Sequence, residues 1–112
     1  MKARSGWSAA LAFVALASGP AAAEDAPVQT GGALVEMYCS DCHATGPSGA
    51  SRLPAAPPFR ELHRRYDVEH LAEALVEGIV TAHPEMPEFE FDPEQANAII
   101  AYLKTLEPPA AP

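Results

Sequence analysis

Apolar residues recur at three- and four-residue spacing along most of this chain, and no strand signal from apolar–polar alternation outweighs that helical period. From Thr30 onward Leu34, Met37 or Tyr38, and Cys42 fall on one helical face, with Thr30 or Gly31 as the cap. The preceding Glu24–Gln29 is polar, contains Pro27 and reads as a loose end. Ala44–Pro58 is a loop, because Gly46-Pro47-Ser48-Gly49 and Pro54-Ala55-Ala56-Pro57-Pro58 forbid regular structure. Phe59, Leu62 and Tyr66 then suit a short helix. Asp67 opens a clearer one, with Val68, Leu71, Ala72, Leu75, Val76 and Ile79 on one face, Glu69, Glu73 and Glu77 on the other, and Gly78 as terminator. Val80–Phe91, broken by Pro84 and Pro87, is irregular. Asp92 caps a last helix, with Pro93 at its first position and Gln95 closing a capping box. Ala96, Ile99, Ile100, Leu103 and Leu106 line one face of it, and Pro108-Pro109 follows its end. The pattern predicts an all-α protein of three to four helices without internal repeats.

The first 23 residues read differently. Lys2 and Arg4 precede a short apolar run from Trp7 to Ala17, Gly19-Pro20 breaks it, and Ala21-Ala22-Ala23 supplies small residues. This is the form of a secretory signal peptide, residues 1–23, cleaved after Ala23. The run is shorter than the ~20 residues that span a bilayer, which argues against a retained anchor. Residues 24–112 then form one domain, in a compartment outside the inner membrane: the periplasm.

Removing the leader changes size and charge. Of 112 residues, 89 remain; Lys2 and Arg4 leave, so 15 acidic side chains face five basic ones and the formal charge moves from −8 to −10. Such a surface repels nucleic acid and anionic lipid, and suits a protein partner with a basic docking face. A chain this short buries a limited core and gains from an apolar group at its centre.

Cys39-Ser40-Asp41-Cys42-His43 names that group. Two thiols three residues apart, followed at once by an imidazole, form the pattern for covalent attachment of haem c, with His43 supplying an axial nitrogen to the iron. Two alternatives share these residues. A redox-active dithiol would sit beside a βαβ pattern, which is missing; a zinc site would need a fourth, distant ligand.

An electron carrier needs a second axial ligand on the far face of the ring. Met1 leaves with the leader, and Met37 shares the attachment helix. Met86 lies 44 residues after Cys42 between Pro84 and Pro87, which present its thioether rigidly. His83, His63 and His70 are its rivals. Arg52, Arg60, Arg64 and Arg65 are the candidates to neutralise the haem propionates.

From Thr30 to Leu106 these features resemble small bacterial class I cytochromes c, through the attachment motif and the segment His83-Pro84-Glu85-Met86-Pro87-Glu88-Phe89. The resemblance implies a cytochrome c-like fold wrapped around one haem. It also implies a close helix crossing between Gly31, eight residues before Cys39, and the aromatic Tyr102. A family proline accepts the proximal histidine's N–H through its carbonyl; Pro57 matches it, with Pro58 second. The acidic surface and the absence of tryptophan after residue 23 depart from the mitochondrial members. Unlike in four-helix-bundle haem proteins, the attachment motif lies near the start of the domain.

The expected function is a periplasmic electron carrier, not itself an enzyme, with cofactor contacts from Cys39, Cys42, His43, Met86 and Pro57 and iron ligands His43 and Met86. The alternatives are a cytochrome subunit of a periplasmic dehydrogenase and a gas-binding or sensing haem protein. No membrane insertion is expected once the leader is gone.

Overall fold

A computed structural model describes residues 2–3, 5–6, 8–16, 21–78 and 85–109. Trp7, Ala17, Gly19, Pro20, Ile79, Val80, His83 and Pro84, which carried parts of the sequence reading, lie outside the described residues. Among the described residues the chain is helical, with no strand. Helix α1 spans Ala21–Cys39. A 3₁₀-helix covers Phe59–Arg64, and a second 3₁₀ turn, Val68–His70, runs directly into α2, Leu71–Glu77. Helix α3 spans Pro93–Thr105. Counting the turn with α2, these are four helical segments, within the expected all-α, cytochrome c-like architecture.

The caps of the later helices fall where the sequence put them. Asp67 accepts a hydrogen bond from the Glu69 N–H at 3.0 Å. Gly78 ends α2 with φ +102°, a conformation L side chains seldom adopt. Asp92 accepts from the Gln95 N–H at 2.8 Å while the Gln95 side chain accepts from the Asp92 N–H at 3.2 Å, the reciprocal box.

Helix α1 departs from expectation at its start. It begins at Ala21 rather than at a Thr30 or Gly31 cap, and runs through the segment read as a loose end. Ala21-Ala22-Ala23 are strong helix formers, and that local preference extends the helix backwards. Its buried face also differs. Val35 is wholly buried, whereas Met37 is 71% exposed and Tyr38 43% exposed. The inward side therefore runs through Gly31 and Val35, with Leu34 partly buried against the same core and Met37 turned outward.

The core joins α1 to α3. Val35 belongs to one buried cluster with Ile99, Ile100 and Leu103 of α3, Leu62 of the first 3₁₀-helix, Val68 and Leu75 of the second helical unit, and Phe91. Glu69, Glu73 and Glu77 are exposed, as the period demanded. The α1–α3 pairing is the most extensive helix contact among the described residues. It depends on glycine: a Cβ on Gly31 would stand 1.9 Å from the Ala98 carbonyl oxygen. The aromatic contact belongs to its neighbour, since a Cβ on Gly32 would meet Tyr102 Cδ2 at 3.1 Å. Gly31 thus crosses backbone, and Gly32 crosses the ring.

Candidate haem site

The last turn of α1 sets out the attachment motif. The Cys39 carbonyl accepts from the N–H of Cys42 at 3.2 Å and of His43 at 2.9 Å, so the chain winds once more before leaving the helix. The long loop then folds back on this turn. Leu53 donates its N–H to the Cys42 carbonyl at 3.0 Å, and Phe59 donates to the Ala44 carbonyl at 2.9 Å. The Ala44 N–H donates to Ser51 Oγ at 2.9 Å. Both neighbours of His43 are thereby tied down.

A second tie reaches α3. The Tyr102 hydroxyl donates to the Thr45 carbonyl at 2.5 Å, and Thr45 Oγ1 donates to Glu36 at 2.8 Å. Burial, helped by the charge of Glu36, holds the Tyr102 hydroxyl above its ordinary pKa, so it stays a donor. The sequence offered no sign of this three-element link.

His43 itself is oriented by the backbone. Its Nδ1 lies 2.8 Å from the Pro57 carbonyl oxygen. A carbonyl only accepts, so the proton sits on Nδ1 and the lone pair on Nε2. The Phe59 ring packs beside the imidazole, centroids 4.6 Å apart. Pro57, rather than Pro58, makes this contact.

Cys39, Cys42 and His43 open onto a largely apolar cavity of about 520 Å³. Leu53, Ala55, Ala56 and Pro57 of the long loop form part of its wall, which accounts for that loop's length. Leu62, Leu71, Leu75, Ile99 and Leu103 line it from the core. Met86, with Pro87 and Phe89, lines it as well. One cavity therefore gathers two thiols, an imidazole with a free Nε2 and a thioether. Those donors and that apolar lining fit a haem: sulfur nucleophiles for its periphery, nitrogen and sulfur for its iron.

The rivals are placed elsewhere or lie beyond description. His63 and His70 line no part of the cavity, and His83 is outside the described residues. Of the four arginines, Arg65 lines the cavity, beside Tyr66. Arg52 pairs at 3.8 Å with Asp41 on the open surface, and Arg60 lines a separate groove with Ser51 and Pro54.

The thiols bear on the dithiol alternative. Both are free, and burial pushes the Cys39 thiol up to about 11. A catalytic redox dithiol works through a thiolate of lowered pKa. Cys39 has the opposite character. Among the described residues no group of three His, Cys, Asp or Glu side chains is arranged to hold a metal ion.

A cluster that sequence reasoning missed borders the same cavity: Tyr38, Phe89 and Phe91. The alternation Phe89-Glu90-Phe91 was its one visible trace.

The family model for cytochrome c oxidase, cbb3-type, subunit III matches residues 26–103, well over half of the chain. No curated protein and no solved structure matches it. With the attachment motif inside the matched span and the helices wrapped around its cavity, the chain belongs to this family of cytochrome c domains, as a small class I monohaem cytochrome c.

Proposed function

We propose that this protein is a periplasmic carrier of single electrons, holding one haem c through thioethers from Cys39 and Cys42, with His43 and Met86 as axial ligands. One observation supports this most: His43, its Nδ1 committed to Pro57, shares a single apolar cavity with both thiols and Met86. Haem c, when bound, supplies an iron that takes up and releases one electron.

The chain does the rest. Cys39 and Cys42 would hold the haem, each thiol supplying the sulfur of one thioether. The Pro57 carbonyl fixes the imidazole's tautomer and orientation and strengthens Nε2 as a donor. The thioether of Met86 is a soft ligand that favours the reduced state and raises the potential. Leu62, Leu75, Ile99 and Leu103 exclude water from the cavity. Arg65 is the arginine placed to neutralise a propionate. Were His43 and Met86 both to ligate the iron, they would leave it no open position for catalysis or gas binding.

The leader is read as a signal peptide removed after Ala23. Leu11, Phe13 and Leu16 are 90% or more exposed, an arrangement unsuited to a mature soluble domain. Cleavage there makes Pro27 the fourth residue of α1, where a missing N–H forfeits no intrahelical bond. Among the described residues no helix is long and apolar enough to cross a membrane. The acidic surface suits a basic partner.

The family's description as an oxidase subunit favours a second reading, a dedicated cytochrome subunit of a larger redox complex such as a dehydrogenase. Co-purification with a stoichiometric partner would favour it over the free carrier.

The axial assignment is tested by Met86→Ala in the haem-loaded protein. The expected results are a lower potential, carbon monoxide binding and loss of the sulfur-to-iron charge-transfer band. A variant that keeps the band removes Met86 from the account.

A further inference from the structure

The segment that carries Met86 is tied to the attachment helix through one side chain. Tyr38, immediately before Cys39, meets Phe89 edge-on with ring centroids 5.7 Å apart and planes at 63°. It meets Phe91 the same way, at 5.4 Å and 79°. Phe89 and Phe91 lie 6.2 Å from each other, so the three rings form one cluster. All three line the cavity together with Cys39 and Met86.

The far end of the segment is also held. The Phe91 N–H donates to the Leu75 carbonyl at 2.8 Å. The Glu88 carboxylate fills the space a side chain on Gly78 would need, with Oε1 2.6 Å from the Cβ position. Asp92 then caps α3. Between these anchors and Met86 the chain is stiff. Pro87 fixes its own φ and confines Met86 to extended conformations. From Met86 to Phe89 is three residues, a reach of roughly 10 Å, so freedom at Phe89 becomes freedom at the thioether.

Tyr38 is 43% exposed, and a half-exposed ring is a poor core filler. Its contacts join the proximal helix to the distal segment across the cavity's edge. We propose that Tyr38 is a positioning residue: its edge-to-face contacts with Phe89 and Phe91 hold the Met86 segment closed, keeping the thioether on the iron. This rests on the reading of Met86 as distal ligand.

The test uses the oxidised, haem-loaded protein and imidazole as the probe, which binds by displacing the distal ligand. Binding is followed by loss of the sulfur-to-iron charge-transfer band. Each edge-to-face pair is worth a factor of roughly two to ten, so Tyr38→Leu, which loses two, should bind imidazole roughly fourfold to a hundredfold more tightly. Tyr38→Phe keeps both ring contacts and should stay within about twofold of the unmodified protein.

Unchanged imidazole affinity in Tyr38→Leu overturns the proposal, even if the variant melts earlier, because a merely structural ring would lower stability alone. Should that variant not fold, Phe89→Leu breaks the contact from the other side, and unchanged affinity there is equally fatal. If the unmodified protein shows no charge-transfer band, the Met86 assignment itself has failed and the proposal falls with it. A band that is present but indifferent to Tyr38 condemns the clamp alone.

Discussion

Substituting alanine at two adjacent glycines of α1 should destabilise the protein at one and leave it unchanged at the other. A Cβ on Gly31 would stand 1.9 Å from the Ala98 carbonyl oxygen, 2.5 Å from its carbon and 3.0 Å from the Ile99 nitrogen. All three atoms are backbone of α3, so no side chain can turn aside and the helices must separate by more than about 1 Å. Overpacking of this kind costs about 1–3 kcal/mol, and a rigid neighbour puts it at or above the top of that range. The gain in helix propensity returns about 1 kcal/mol. The net loss is about 2 kcal/mol or more, which in a domain of this size lowers the melting temperature by roughly 8–16 °C. At Gly32 the Cβ would meet the Tyr102 ring at 3.1 and 3.2 Å, a side-chain edge that can yield by a few tenths of an ångström. There the steric cost and the propensity gain are both about 1 kcal/mol and cancel. Thermal denaturation of the haem-loaded protein, followed by far-ultraviolet circular dichroism, compares the two. Gly31→Ala melting within about 2 °C of the unmodified protein, or Gly32→Ala proving the worse, would refute the close-crossing argument.

Two further outcomes follow from the cofactor and the charge. Replacing Cys39 and Cys42 together with alanine should leave weak helical circular dichroism and no cooperative melt, because the core closes around the cavity; a sharp melt would count against that dependence. Electron transfer with a basic redox protein should slow as salt rises, since a formal charge of −10 for residues 24–112 would steer the encounter; rates indifferent to ionic strength would rule the steering out.

The parts of the structure legible in the sequence are those set by local chemistry. Asp92, Pro93 and Gln95 specify the start of α3 whatever packs on it, and Gly78 ends α2 through its own backbone freedom. The attachment motif is equally local: three side chains within one turn. What escaped was decided at long range or by competing local signals. Val35, rather than Met37 or Tyr38, sits deepest on the inner face because the helix phase is fixed by the α3 crossing at Gly31, not by the apolar residues alone. Helix α1 began early because an alanine-rich run outweighed Pro27. The meeting of Tyr38 with Phe89 and Phe91, and of Tyr102 with Thr45, joins residues about 50 or more positions apart, and no period reports such a pairing.

A haem held covalently at Cys39 and Cys42 would show in the mass of the exported, denatured protein. After extraction with acidic organic solvent, the account predicts that the colour stays with the polypeptide and that the mass equals residues 24–112 plus one haem. Haem recovered in the solvent, with a polypeptide of unmodified mass, would contradict it.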